Sequence, residues 1–265
     1  MAFTLELFTS SIANGATSFQ QVTFSPKNIF ASLQNGCLIN RNLPNLMAVM
    51  GVSANMAWVQ HQWVRQRPFP FLTLGPNNRG TAIESPPRIF DFSMNPIPLP
   101  PNEEFDVFAT QNSAGAQTVY VACLFSDGVK MAAPSGKIIN AHWSATTTLT
   151  AGNFTSVTPV FDQPLPGGLY SLIGARVFSA TGLFFNLLPQ NEPLWRPGGA
   201  AVQAYDQLDP LNQRAPSYQS FPGQGWGEWL RFYQNTVPAV NIFATAADTA
   251  EEGIFDLVQI SGATI

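Results

Sequence analysis

Apolar and polar residues alternate with a period of two along much of this 265-residue chain. Such alternation is typical of β-strands that bury one face. It predicts strands over residues 2–8, 19–24, 88–92, 138–150 and 154–161, and a strand or a short helix over 228–232. The 22 prolines and 20 glycines are spread along the chain and separate these runs. The pattern therefore predicts an all-β protein of short strands joined by turns.

Two longer stretches, residues 46–65 and 169–188, have the same role in the two halves of the chain. Each follows a Leu-Pro pair, and each carries an early glycine, Gly51 or Gly174. The first stretch fits either a helix followed by a strand or one long bent strand. Its second half is rich in tryptophan and valine, which predicts a strand in which Gly51 marks a bulge or a close approach.

A segment near the midpoint is repeated at the end of the chain. Asp106–Phe125 and Asn241–Ile260 each predict a hairpin of strand, turn and strand, and they align without a gap at an offset of 135 residues. Only three of the twenty aligned residues are identical, but the order and the spacing agree. This predicts a duplicated domain in which Phe108 and Phe243 occupy equivalent core positions. The alternative is that any two hairpins of an all-β protein look this similar.

The boundary between the halves is predicted at residues 129–136, a small and polar stretch with Pro134 and Gly136. The predicted domains are residues 1–134 and 135–265. The second contains a long irregular segment, residues 189–227, and a loop of this length is either functional or evidence against the assignment. Its aromatic and arginine residues predict a subunit interface; the alternative is a lid over its own sheet. The interface candidates are Trp195, Arg196, Tyr205, Tyr218, Phe221 and Trp226.

Charge is scarce in this sequence. Charged residues make up 11% of the chain, against about 25% in typical globular proteins. A surface so poor in charge predicts that other subunits cover much of it. The formal net charge is −4, and no cluster of lysine or arginine is present that could neutralise phosphates, so direct, strong nucleic-acid binding is not expected.

No recognisable catalytic or metal-binding motif is present. His61 and His142 each fall in a predicted strand beside a tryptophan, without the spacing of a zinc site. Cys37 and Cys123 lie in apolar surroundings and are predicted to be buried free thiols. The paired carboxylates Glu103-Glu104 and Glu251-Glu252 are predicted to be solvated edge charges. We therefore expect no catalytic residue, no cofactor and no metal, although a two-carboxylate glycosidase stays an alternative.

Targeting signals are equally absent from the sequence. The first fifteen residues lack a positive region followed by an apolar one, so they do not predict a signal peptide. The longest dense apolar run, residues 183–188, is far too short to span a bilayer. We expect a soluble protein that is made in a cytoplasm.

The matched halves, the two Leu-Pro stretches and the repeated hairpins together resemble a double jelly-roll major capsid protein of a tailless icosahedral virus, such as one that infects bacteria. The resemblance covers the whole chain and rests on its organisation rather than on one diagnostic motif. It implies two tandem eight-stranded jelly rolls, three chains in a pseudo-hexagonal capsomer, and capsomers that tile a shell in the virion.

The resemblance also implies partners. These are further copies of the chain in the trimer and in neighbouring capsomers, other virion proteins such as a penton or minor capsid protein, and in many members an underlying viral membrane. The segment 189–227 would then be the main decoration or the clamp between subunits. The alternative function is a carbohydrate- or receptor-binding β-sandwich, such as a viral spike or tail module, in which exposed Trp and Tyr residues with Asp206 and Asp209 would bind sugars.

Overall fold

The computed structural model describes residues 2–13, 18–24, 30–52, 56–63, 72–74, 88–111, 114–132, 134–190, 195–201 and 227–262. This part of the chain contains strands and no helix, which confirms the prediction of an all-β protein. The strands are β1 Phe3–Ile12, β2 Gln20–Val22, β3 Ser32–Leu33, β4 Gly36–Leu38, β5 Asn45–Val52, β6 Met56–Trp63, β7 Leu72–Leu74, β8 Arg88–Asp91, β9 Ile97–Pro98, β10 Glu104–Gln111, β11 Gln117–Ser126, β12 Lys137–Ala145, β13 Phe154–Val157, β14 Val160–Phe161, β15 Gly168–Phe178, β16 Gly182–Leu188, β17 Gly198–Ala200, β18 Leu230–Tyr233, β19 Ala239–Ala244 and β20 Glu251–Gly262.

The chain divides into two compact units. Among the described residues, the amino-terminal unit comprises those between 5 and 128, and the carboxy-terminal unit comprises residues 2–4 and those between 129 and 262. Each unit contains two antiparallel sheets.

The amino-terminal unit has one sheet in the order β1-β11-β5-β8, with β9 also pairing with β5. Its second sheet has the order β3-β4-β10-β6-β7, with β2 also pairing with β10. In the carboxy-terminal unit the corresponding orders are β14-β12-β20-β15-β18 and β13-β19-β16-β17. When the short strands β3, β4, β9 and β14 are left out and the remaining eight strands of each unit are numbered along the chain, the two units share one strand order in both sheets.

The predicted hairpins are wrong. In the repeated segments β10 and β19 belong to one sheet of their unit, whereas β11 and β20 belong to the other. The registers of β10 run to β2, β4 and β6, and that of β20 to β12 and β15. Each segment is therefore a corner at which the chain passes from one sheet to the other, and both strands are apolar because each packs towards the opposite sheet.

The gapless alignment of the repeat pairs half-buried with buried residues in both strands of each segment. In β10 the Phe105 ring contacts Phe125 of the opposite sheet, so Phe108 lies on the other side of β10 and is half-buried, whereas Phe243 is buried. The prediction that Phe108 is a core position is therefore wrong. In the second strand the alignment matches half-buried Tyr120 with buried Phe255, a slip of one residue that exchanges the two faces.

The two long stretches each form two strands rather than one. Residues 46–65 contain most of β5 and all of β6, and residues 169–188 contain most of β15 and all of β16. In both stretches the two strands belong to different sheets. Gly51 pairs with Val121 in regular register, while the register of β15 shifts between Leu172 and Gly174. Of the bulge or close approach predicted for Gly51, the bulge is absent there, and a register shift occurs instead at the matching glycine of the second half.

Aromatic side chains fill the space between the paired sheets. In the amino-terminal unit the Phe105 ring lies 6.0 Å from Phe8 and 5.3 Å from Phe125. In the carboxy-terminal unit Trp143 and Phe255, on neighbouring strands of one sheet, are both fully buried and lie 5.9 Å apart. Edge-to-face and tilted contacts of this kind are favourable between aromatic rings. Cys37 and Cys123 are buried thiols of the amino-terminal core and are not joined in a disulfide, as predicted.

Candidate functional site

The aromatic segment predicted as an interface is described only in part. Trp195 and Arg196 are half-buried. The backbone N–H of Arg196 donates a hydrogen bond to Thr4 Oγ1 at 3.2 Å, while the buried indole N–H of Trp195 has no acceptor in the described part of the chain. Four candidates lie outside the described residues: Tyr205, Tyr218, Phe221 and Trp226. An indole with an unused donor is suited to an interface.

The described ends of this segment are ordered by backbone pairing rather than being irregular. Gly198–Ala200 forms β17 and pairs with β16. A Cβ at Gly198 would overlap the carbonyl oxygen of Phe185, so only glycine fits there. At the other end the N–H of Trp229 donates to the carbonyl of Leu172 at 2.7 Å, and the Trp229 ring stacks on Phe185. The segment thus leaves and re-enters the carboxy-terminal unit at fixed points.

A buried ion pair lies on the outer face of the sheet β14-β12-β20-β15-β18, which we define as the face opposite Trp143 and Phe255. The Arg176 guanidinium donates to Asp256 Oδ1 at 2.9 Å, and the Asn140 amide donates to the same oxygen. Asp256 is fully buried. Burial raises the pKa of Asp256, and the Arg176 charge opposes that shift. This cluster joins three neighbouring strands.

A second polar group on the outer face is centred on His142. Its Nδ1 lies 2.8 Å from Asp162 Oδ2, and its Nε2 lies 3.6 Å from Glu252 Oε2. The His142 side chain is 41% exposed and that of Asp162 is 61% exposed. Both ring nitrogens face carboxylates, so the ring is oriented between two acceptors and ties β12 to the turn after β14.

A groove of about 280 Å³ adjoins His142. It lies between the outer edge of β12 and the turn that follows β14. Its lining residues are Ile139, Asn140, Ala141, His142, Asp162, Gln163, Pro164 and Leu165. The groove combines polar side chains with a strand edge, which suits an extended peptide better than a compact apolar ligand.

Glu251 contradicts the prediction of a solvated edge charge. Its side chain is fully buried at the start of β20, where it pairs with Ala145. Burial raises the pKa of Glu251 to about 7, and the negative charge of Asp248 adds to the shift, whereas a hydrogen bond from Ser179 opposes it. Glu103 and Glu104 are half-buried rather than solvated, so the prediction is wrong for them too.

Glu6 is a buried carboxylate of the amino-terminal core. Its Oε2 accepts a hydrogen bond from the N–H of Phe30 at 3.5 Å. Burial raises the pKa of the Cys37 and Cys123 thiols, and the charge of Glu6 raises both further. A raised thiol pKa means an unreactive thiol, so these cysteines have the character of packing residues.

Neither a metal-binding group nor a membrane-spanning helix is found within the described ranges. No cluster of three or more His, Cys, Asp or Glu side chains that could hold a metal ion occurs there. The same ranges contain no helix that is long and apolar enough to cross a membrane.

Comparisons with known proteins do not identify a family for this chain. No family model matches the chain, and no curated protein matches it. Among solved structures, the chain is similar to the major capsid protein P2 from Bacteriophage PM2, with 10% identity, a TM-score of 0.24, and coverage of 98% of this chain and 100% of that one. At this TM-score the similarity supports no conclusion about the chain, and the strand order of its two units has to be interpreted on its own.

The polar clusters of the carboxy-terminal unit were not predicted from sequence. Asp256 lies within the apolar run Ile254–Ile260, and Arg176 lies in a strand with no charged neighbour. The only signal in the sequence for a buried ion pair was a charged residue, Asp256 or Arg176, within an otherwise apolar strand. It does not identify the partner, because the two residues meet only through the pairing of β15 with β20.

Proposed function

We propose that this chain is a structural major capsid protein of an icosahedral virus, and that each of its units is an eight-stranded jelly roll. In this proposal three copies form a capsomer, capsomers tile a shell, and the chain is located in the virion after synthesis in the host cytoplasm.

The observation that carries the proposal is the strand order. In the carboxy-terminal unit the chain passes repeatedly between two sheets, of which one has the order β12-β20-β15-β18 and the other the order β13-β19-β16-β17. The amino-terminal unit repeats that order with its own strands. Two facing four-stranded sheets connected in this way support a jelly roll, an architecture that recurs in viral capsids and lectins. Two of them in one chain favour the capsid, because a duplicated unit generates pseudo-symmetry.

Trimerisation is proposed because of that duplication. Three copies of a chain with two similarly built units present six similar units around a three-fold axis, which gives a pseudo-hexameric capsomer. Weak contacts between capsomers suffice, since a closed shell multiplies each contact by symmetry. The interface within the trimer is assigned to the aromatic segment 189–227, which includes Trp195 and Arg196.

The scarcity of charge supports a role in assembly rather than in catalysis or genome binding. Only 11% of the residues are charged, and the net charge is −4. Such a surface suits burial against other copies, and it lacks the basic clusters that neutralise phosphates. We therefore propose partners among virion proteins, including a penton or minor capsid protein and an underlying membrane, and propose no enzymatic activity.

The test is assembly of the purified chain. We expect light scattering to give a mass three times that of the 28.8-kDa chain. Electron microscopy of concentrated samples should then reveal shells or hexagonal sheets. A glycan array is the matched counter-test for the alternative of a carbohydrate-binding module. Specific glycan binding by particles no larger than a trimer would contradict the capsid proposal and favour that alternative.

A further inference from the structure

The start of β1 belongs to the carboxy-terminal unit, whereas the rest of this strand belongs to the amino-terminal unit. Phe3 and Thr4 are both fully buried. Consecutive side chains of a strand point to opposite faces, so these two residues pack against different neighbours. They can therefore link two parts of the unit that are distant in sequence.

The two residues contact opposite ends of the segment 189–227. Thr4 Oγ1 accepts a hydrogen bond at 3.2 Å from the backbone N–H of Arg196, in the described first part of the segment. The Phe3 ring meets the Trp229 ring edge-to-face, just after the end of the segment, with centroids 5.3 Å apart and planes at 84°. Two neighbouring residues of one strand thus join both ends of the segment.

These contacts form a closed ring within the carboxy-terminal unit. The Trp229 indole also stacks on Phe185, with an interplanar angle of 17°. Phe185 pairs with Gly199 in the ladder between β16 and β17. Gly199 follows closely after Arg196, which is bonded to Thr4. Because the ring is closed, a displacement at one end of the segment changes the contacts at the other end.

We propose that Phe3 and Thr4 are positioning residues for the subunit interface. They fix both ends of the segment and so hold Trp195 and Arg196, the described interface candidates, in place for a second copy of the chain. Side chains that are ordered before association lose less entropy when they bind. The inference rests on the proposed function, since it takes the segment as the interface of the trimer. It assigns a role in assembly to a residue 192 positions before Arg196.

Hydrogen exchange in the full-length chain tests the coupling between the two ends. Thr4→Val removes the acceptor at nearly constant side-chain size, and Thr4→Ser keeps the acceptor. We expect the valine variant to speed exchange at the Arg196 N–H by about tenfold or more, because this partly buried donor loses its acceptor. Exchange at the Trp229 N–H, which donates to Leu172, should rise by about threefold or more as well. The serine variant should stay within about twofold of the parent chain at both amides.

Phe3→Leu tests the coupling in the opposite direction. It keeps an apolar side chain but removes the edge-to-face contact with Trp229. Exchange at the Arg196 N–H should rise by about threefold or more, although Thr4 is unchanged.

Phe8→Leu is the matched control for this variant. Phe8 is an equally buried phenylalanine of the same strand, but it packs in the amino-terminal core. It should leave exchange at the two end amides within about twofold of the parent chain. The N–H of Leu149, which donates to Asp248, reports general loss of stability in the same unit. A rise at this reference amide equal to that at the two ends would overturn the proposal.

Light scattering at falling concentration tests the positioning of the interface. We expect Thr4→Val and Phe3→Leu each to weaken the trimer by about tenfold, whereas Thr4→Ser and Phe8→Leu should stay within about twofold of the parent chain. Trimers of unchanged strength in the first two variants, or exchange that rises at one end only, would also overturn the proposal.

Failure of this inference can be told apart from failure of the proposed function. A parent chain that forms no trimer would overturn both, because the positioning role needs an interface. Coupled exchange at the two ends would then locate the error in the function assigned to the segment, and uncoupled exchange would locate it in the ring of contacts.

Discussion

The carboxyl group of Glu251 is buried without a cationic partner in the described residues. Ser179 and the carboxylate of Asp248 are its polar neighbours, and Ser179 Oγ already accepts hydrogen bonds from the N–H groups of Thr181 and Gly182. The charged form of Glu251 is therefore disfavoured in the folded state. Its pKa is raised from 4.5 to about 7, so folding is linked to uptake of a proton.

This linkage predicts the effect of Glu251→Gln. The contribution of the protonated carboxyl is fully present below pH 4.5 and is lost as the pH rises through about 7. The neutral amide avoids that loss. We expect the variant and the parent chain to be equally stable at about pH 4, and the variant to be more stable at about pH 8 by on the order of 2 kcal/mol. Denaturant unfolding at both pH values measures the difference.

Glu252→Gln provides the control for this prediction. Glu252 follows directly in β20, but its side chain points to the outer face near His142. It should not reproduce the gain at alkaline pH. A gain of the same size in both variants would show that general charge reduction, and not the burial of Glu251, causes the effect.

Glu251 also shows why a buried carboxylate escapes detection in sequence. In the run Glu251-Glu252-Gly253 the two glutamates are indistinguishable by composition. Alternation along the strand says that they point to opposite faces, but not which face is the interior. That choice is set by the pairing of β20 with β12 and β15, which are distant in sequence.

At the scale of elements, the crossing of β20 past Trp143 sets a strict packing requirement. Gly253 pairs with Trp143 on β12 and with Val177 on β15. A Cβ at Gly253 would overlap the indole ring of Trp143 and lie 2.6 Å from the carbonyl oxygen of Arg176. The glycine therefore allows a fully buried tryptophan to lie flat across the middle strand of the sheet.

We expect Gly253→Ala to destabilise the protein by about 1–3 kcal/mol, as is typical of overpacking in a core. Gly167→Ala is the matched control, since a Cβ at Gly167 meets nothing within 4 Å. It should be neutral or slightly stabilising through the unfolded chain. Thermal unfolding of both variants measures the effect. Equal midpoints would contradict the close contact between β20 and Trp143.

The individual strands could be predicted from sequence, but their partners could not. Period-two alternation located β1 and β8 to within a few residues, whereas it left residues 228–232, which overlap β18, open between a strand and a short helix. It also predicted hairpins at both repeats, since a strand, a short turn and a strand look alike whether the chain stays in one sheet or turns a corner. Pairing depends on which distant strand is adjacent, and nothing local in residues 106–125 encodes that β10 lies next to β6.

For the whole molecule, the shared strand order supports duplication more strongly than the sequence identity does. Three identical residues in twenty cannot exclude chance, whereas the same order in both sheets of both units is a property of the entire chain. The slip of one residue between Tyr120 and Phe255 puts residues of opposite faces side by side in the gapless alignment, but shifting the second strand by one residue in either direction adds no identical residue. Once a strand is shifted by one position, core residues align with residues of the other face.

The proposed trimer makes one prediction about the whole assembly. Combined Trp195→Ala and Trp226→Ala substitutions should weaken the trimer by about 100-fold or more, since aromatic hot spots contribute about 2 kcal/mol each. Tyr233→Ala is the control, because Tyr233 is 57% exposed in the same unit but lies outside segment 189–227. Light scattering at falling concentration gives the trimer's dissociation constant, and thermal unfolding checks that each variant is folded. Intact trimers in the double variant would place the subunit interface elsewhere.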